Sequence, residues 1–300
     1  MRIVETRART QTSRPDRPAG SLTGDRAQWP VYLALSAGAL VVVFPFVWML
    51  ITSLKTLEEA SGYPTGTAFW RVFIPSWQFG NYIEAWNAAP FGRYFLNTVL
   101  VALAVTACVL VTSTLAGYAF AAIPFPGKNA IFILILATMM IPHEAGYIPN
   151  FVIVKTLGWY NQYPALIIPW TASAFNIFLL RQFFASVPAD LWESAQLDGA
   201  SRLRYLFQIG VPLARPALIT AGLFSFVGSW NSLLWPLIVI QDPQMQVVQV
   251  GLTNFVSADR PTDWHLLMAA SAFTALPIIA IYMVAQRYFV EGIARSGIRG

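Results

Sequence analysis

Apolar residues along the chain gather into long blocks separated by short polar segments. Residues 31–54, 94–127, 156–180 and 216–241 contain no Asp, Glu, Lys or Arg, and 264–286 contains only His265 as a possible charge. A helix needs about 20 apolar residues to cross the hydrocarbon of a bilayer, so each block is long enough to span one. A sixth block, 129–142, is uncharged but shorter, and reaches spanning length only if it continues past His143 and Glu144 into 145–153. The pattern predicts an all-α integral membrane protein with six transmembrane helices. Pro45, Pro142, Pro169, Pro236 and Pro277 fall within or beside the blocks. In lipid such breaks persist only where neighbouring helices or a cavity satisfy the freed backbone groups, so the prediction is a bundle with an internal path. Residues 30–300 read as one transmembrane domain, with 92–290 as its core. Residues 1–29, rich in Arg, Thr and Pro and without apolar periodicity, read as a disordered cytoplasmic tail leading into an uncleaved first span.

Composition agrees: 56% of residues are hydrophobic and 11% are charged, where a soluble domain has about 25% charged. A soluble enzyme of this size is excluded. The single cysteine, Cys108, cannot form an internal disulfide. The net charge of +5 is not a nucleic-acid signature, because no Arg/Lys cluster alternates with aromatics. It reports orientation instead. With the N-terminus inside, 14 of the 19 Lys and Arg fall in the inner segments 1–29, 123–130, 181–215 and 287–300, while the acids divide equally between the two sides. Asymmetry confined to basic residues is the form of the positive-inside rule, and predicts both ends in the cytoplasm. Outside, Trp70, Trp77, Tyr82 and Trp86, followed by Tyr94, read as an aromatic belt at the headgroups, with contact to an external partner as the alternative.

The blocks lack the groups that membrane chemistry needs. Ion-coupled transport leaves ionisable residues within the membrane, and here only His143, Glu144 and His265 come near, at the predicted outer ends. There is no HExxH, no GxSxG, and too few Cys and His for a zinc site. A phosphate-binding loop requires GxxxxGK[ST]. The only lysines are Lys55, Lys128 and Lys155, and Gly127-Lys128 is followed by Asn129. If this protein performs active transport, its energy comes from another subunit.

The longest inner segment, 181–215, is patterned rather than merely connecting. Ser186 is placed to cap a helix with Pro188 and Asp190 in its first turn, and Gly199 fits the left-handed position that ends one. Ser201 can cap a second short helix through Leu203, Phe207 and Ile209, which Pro212 separates from the fifth span. Two short helices around a glycine corner make a rigid knob.

Glu193-Ser194-Ala195, then Asp198-Gly199-Ala200, then Ile209-x-Val211-Pro212 resembles the EAA loop of inner-membrane permease subunits of bacterial ABC importers, with Ser194 in place of an alanine and Val211 in place of a leucine. Asn81-Tyr82, Asn97-Thr98, Met140-Ile141-Pro142, Leu180-Arg181-Gln182-Phe183-Phe184, Ser229-Trp230-Asn231 and Trp235-Pro236-Leu237 narrow the resemblance to the carbohydrate-type permeases of the maltose, lactose and glycerol-3-phosphate kind. It runs from about residue 30 to the C-terminus.

This resemblance implies a heterodimer with a second permease, two cytoplasmic ATPase subunits and an extracytoplasmic solute-binding protein. ATP and magnesium would sit in the ATPases, leaving this chain without catalytic, cofactor or metal site. Residues 186–212, between spans four and five, would be the ATPase-coupling loop, with Glu193 available to a cation of the ATPase and Gly199 keeping the corner tight. In that family the C-terminal tail also contacts the ATPases, which makes Arg295 and Arg299 candidate docking residues. Tyr118, Asn176, Ser225, Trp230, Asn231 and Trp235 are candidates for a sugar or polyol path, as aromatic faces and hydrogen-bonding groups inside later spans, although polar helix packing accounts for each equally well. An ion-coupled secondary transporter and a non-transport membrane scaffold are the alternative readings.

Overall fold

The computed structural model describes residues 29–62, 73–256 and 262–296, the last ten through their backbone. Every regular element among the described residues is helical. Helix α1 (Trp29–Ser53) is apolar throughout and carries Pro45 without interruption. Residues up to Trp48 form one unit and those from Met49 onward a second. In the second unit follow α2 (Leu57–Ser61), α3 (Gly80–Asn87), α4 (Phe91–Ala122), α5 (Lys128–Thr138), α6 (Tyr147–Thr156), α7 (Tyr163–Ile167) and α8 (Ala174–Ser186). Then come α9 (Ala189–Leu197), α10 (Arg202–Tyr205), α11 (Val211–Leu213), α12 (Arg215–Trp230), α13 (Leu234–Val239), α14 (Val248–Leu252) and α15 (Trp264–Ser296).

Three of these helices, α1, α4 and the stretch Trp264–Gln286 of α15, are each long and apolar enough to cross a membrane. Three bent pairs raise the number to as many as six if each pair is one span: Lys128–Thr138 with His143–Thr156 at 96°, Tyr163–Trp170 with Ala174–Ser186 at 43°, and Arg202–Leu213 with Arg215–Trp230 at 80°. Three of the predicted blocks are therefore not straight helices. The 129–153 block folds sharply at Pro142. The 156–180 block begins as a turn, with Gly158 at φ 71° and Asn161 at φ 59°, and its helix continues to Ser186 after a break beyond Pro169. The 216–241 block ends its helix at Trp230 and restarts at Leu234. Pro236 cannot donate to the carbonyl four residues back, which favours the break just before it.

Helix α4 lies at the centre of the second unit, packed against α8 and α12. Gly117 permits the first contact, since a Cβ there would stand 3.0 Å from Arg181 N and Leu180 Cβ. Small residues at such crossings let membrane helices approach. Polar side chains pin the chain between α13 and α14 to the start of α4. Buried Asn97 donates to Gln244 O and Gln246 O, both at 2.9 Å, and accepts from Tyr163 Oη at 2.8 Å. Thr98 Oγ1 accepts from Val248 N at 2.9 Å and donates to Tyr94 O. Tyr94 itself is buried in an aromatic cluster with Phe91 and Phe255 rather than standing in a headgroup belt; Trp77 and Trp86 are exposed, and Trp70 lies outside the described residues. Beyond α1, Thr56 and Glu59 cap α2 reciprocally. Ser76, donating to Glu59, is the main cause that holds this carboxyl below its usual range. Burial pushes the Lys55 amine down.

Candidate functional site

The segment from α8 to α12 is built by local backbone chemistry. Val187 precedes a proline and is extended, so α8 stops at Ser186 and α9 starts at Ala189. Ser186 is consequently not an N-cap: its hydroxyl donates back to Phe183 O at 2.7 Å, and Pro188 occupies the capping position with Asp190 in the first turn. The other end follows the expected pattern. Gly199 has φ 77°, its N–H donates to Gln196 O at 3.0 Å, and Ala200 N–H donates to Ala195 O at 2.9 Å. Those two bonds are the Schellman arrangement that closes a helix on a left-handed residue. Ser201 then caps α10, its hydroxyl accepting from Arg204 N at 3.3 Å.

Beyond α10 the backbone widens into a π turn over Leu206–Gly210. It absorbs Pro212, which cannot make the ordinary backbone bond. Pro212 thus lies inside the helical stretch, and the 80° turn into α12 falls after it, at Ala214.

The inner face of this segment is packed. Ala195, Tyr205, Leu206 and Ala214 bury themselves against Tyr118 of α4 and Leu180 and Phe184 of α8. Trp192 meets Tyr205 edge-on at 5.3 Å, and Tyr205 leans on Tyr118 at 6.2 Å. Arg202 lies over the Trp192 ring, 4.9 Å from its centre, and donates to Ala122 O at 3.3 Å. Ala200 and Ile209 are half-buried. The outer face is open: Glu193, Ser194, Asp198 and Gly199 are exposed, and Leu197 is 90% exposed at the corner. Ser194 Oγ donates to Asp190 O within its own helix. The Arg295 side chain and Arg299 lie outside the described residues, as does the tail 1–28.

The candidate path residues divide among several places. Asn176 and Ser225 meet, Asn176 Nδ2 donating to Ser225 Oγ at 2.9 Å across α8 and α12, while buried Asn176 Oδ1 has no partner among the described residues. Trp230 is fully buried, stacked on Phe226 at 5.6 Å. Trp235 is buried elsewhere and donates to Ala165 O at 2.8 Å. Asn231 is exposed at the break after α12 and accepts from Gln249 Nε2 at 3.3 Å. Tyr118 belongs to the floor on which α9 and α10 pack. The sequence reading missed an aromatic row of His143, Trp170, Trp235 and Tyr147, with ring centres 5.7–6.2 Å apart. Its signal was present, since Pro142, Pro169 and Pro236 each stand beside one of these rings. Among the described residues no group of three or more His, Cys, Asp or Glu is placed to hold a metal ion.

The described helices thus form an all-α bundle with broken candidate spans and a packed helix-glycine-helix appendage. Residues 113–295 match the family model for the binding-protein-dependent transport system inner membrane component, and the chain belongs to that family. It is 33% identical over 273 residues to the sn-glycerol-3-phosphate transport system permease protein UgpE of Pectobacterium atrosepticum, covering 88% of this chain and 95% of that one. It is 32% identical over 265 residues to the diacetylchitobiose uptake system permease protein NgcG of Streptomyces coelicolor (87% and 85% covered). To the probable ABC transporter permease protein YurM of Bacillus subtilis it is 31% identical over 279 residues (92% and 89% covered). Its fold resembles a chain in the crystal structure of a bacterial ABC transporter involved in the import of the acidic polysaccharide alginate, with TM-score 0.76, 24% identity, and coverage of 88% of this chain and 97% of that one. The chain is a permease subunit of a binding-protein-dependent ABC importer.

Proposed function

We propose that the chain crosses the inner membrane six times with both ends in the cytoplasm, and forms with a second permease subunit the path for a sugar or related polyol. The relatives named for sn-glycerol 3-phosphate and diacetylchitobiose support this solute class. Solute reaches the pair from an extracytoplasmic binding protein. Two cytoplasmic ATPase subunits hold ATP and magnesium, and this chain hydrolyses nothing itself. Residues 186–212 dock on one of them and carry its closure into the helices.

The observation that carries the docking reading is the two-faced segment. Its inner side is packed onto α4 and α8, whereas Glu193, Leu197, Asp198 and Gly199 project outward around a left-handed corner. A flexible loop would absorb movement; one closed by a Schellman turn and seated on two long helices passes it on. In the assembled complex Gly199→Trp or Glu193→Lys is expected to leave membrane insertion intact and to lower solute-stimulated ATP turnover. Unchanged turnover together with unchanged uptake of labelled sugars by reconstituted vesicles refutes the docking.

A further inference from the structure

The coupling segment runs on in sequence into α12, yet most of its packing lies elsewhere: α12 touches its buried cluster through Ala217 and Leu218, in the first turn of that helix. Between Arg202–Leu213 and α12 the chain turns through 80°, whereas the buried side chains of the segment rest on Tyr118 of α4 and on Leu180 and Phe184 of α8. Two cations meet at the end of α4. Lys128 Nζ donates to Ala121 O at 3.0 Å and Arg202 Nη1 donates to Ala122 O at 3.3 Å. The last carbonyls of a helix have no intrahelical partner and carry the negative end of its dipole, so they accept such donors readily. Lys128 is the first residue of α5, the next helix along, and so closes a local turn. Arg202 comes from 80 residues away and joins two separate parts of the fold.

Its guanidinium is fixed on both sides. One face lies on Trp192 of α9, and one nitrogen reaches α4. Trp192 in turn abuts Tyr205, and Tyr205 abuts Tyr118 of α4, so a second row of contacts joins the same parts. A planar, delocalised cation suits this place, where stacking and a directed hydrogen bond are needed together.

We propose that Arg202 is a positioning residue that keys the coupling segment to the end of α4, so that displacement of the segment moves α4 with it while the bend at Ala214 lets α12 follow separately. The proposal rests on the ATPase-docking reading above. Its test requires no solute. In the complete complex, with Cys108 replaced by Ser, nitroxide pairs are placed at exposed Leu203 and Leu103 (segment to α4) and at Leu203 and Phe224 (segment to α12). Distances are measured by pulsed electron resonance, nucleotide-free and after trapping with ATP and vanadate.

The segment-to-α4 distance is expected to be the same in both states, while the segment-to-α12 distance shifts. In Arg202→Ala the segment-to-α4 distribution broadens and shifts on trapping; Arg202→Lys, which keeps the charge without the stacked plane, falls between. Trp192→Leu reproduces the defect, and the double variant is no worse than either single one. A segment-to-α4 distance that changes in the unmodified protein, or that Arg202→Ala leaves narrow and constant, overturns the proposal. So does loss of ATPase co-purification in Arg202→Ala alone, since the side chain would then act in docking. If the unmodified chain retains no ATPase, it is the docking reading that fails.

Discussion

Gly199→Ala separates backbone geometry from space at the corner of the proposed coupling segment. A Cβ built on Gly199 meets no atom within 4 Å, so the methyl group fits. The backbone, however, sits at φ 77°, where an L side chain costs about 1–2 kcal/mol. Alanine also removes freedom from the disordered chain, which offsets about 0.4–1 kcal/mol. The net penalty is therefore about 1 kcal/mol. Escape from it unwinds the turn and gives up the bonds from Gly199 N to Gln196 O and from Ala200 N to Ala195 O, each worth about 1 kcal/mol. Affinity for a partner that needs the native turn falls with the fraction of molecules that hold it, so the expected loss is about five- to tenfold at most. Asparagine, which tolerates the left-handed region, should lose less. The assay is titration of the purified permease pair with its ATPase subunit in detergent, comparing Gly, Asn and Ala at 199. A loss in the Ala variant well beyond tenfold, or Asn as poor as Ala, refutes the argument that the left-handed backbone is what the glycine supplies.

Four further outcomes follow from packing and hydrogen bonding. Asn97→Leu leaves Gln244 O, Gln246 O and Tyr163 Oη without their partner, and is expected to cost about 2–4 kcal/mol, read as a lower Tm in detergent with faster proteolysis over 243–248. Gly251→Ala puts a Cβ 2.5 Å from the ring of buried Tyr94, an overpacking of about 1–3 kcal/mol that Tyr94→Leu should relieve. Trp235→Phe loses the bond to Ala165 O and about 1 kcal/mol; a full-strength Tm in that variant would show the bond to be idle. Glu59 has a lowered folded pKa, chiefly through Ser76, so its contribution is present above the ordinary carboxylate pKa of about 4.3 and is lost as pH falls through the folded value. Glu59→Gln should flatten that part of the acid stability profile.

What could be read from the sequence is what local chemistry determines. Uncharged blocks mark helices because lipid offers no partner to a charge, and Gly199 and Ser201 mark their turn because a positive φ and a hydroxyl cap are properties of a few consecutive residues. Ser186 misled because the proline two residues later controls where the next helix starts. Prolines alone could not reveal the breaks: Pro45 and Pro277 sit inside continuous helices, whereas the chain breaks beside Pro142, Pro169 and Pro236. The difference lies in what surrounds the freed carbonyl, which is tertiary information. The same holds for the path candidates. Trp230 and Trp235 carry suitable chemistry, yet their burial is decided by helices distant in sequence.

The basic residues show most clearly how one residue serves two levels of this chain. Counted along the sequence, Lys128 and Arg202 are two of the inner charges that predict orientation. In the fold both point at the last carbonyls of α4, the 32-residue helix that packs against α8 and α12. Because the spans contain almost no ionisable group, a helix end cannot find its counter-charge within the membrane, and the nearest cations are those just outside it. Under the proposed orientation, positive-inside placement supplies the partners that helix C-termini need at that surface, and a segment that brings one on a stacked arginine is tied to the helix it caps. Neutral replacement of Arg202 should alter coupling while leaving orientation to the remaining basic residues of the inner segments. A flipped topology in Arg202→Ala, detected by labelling single cysteines from either side, would show that orientation is what this residue contributes.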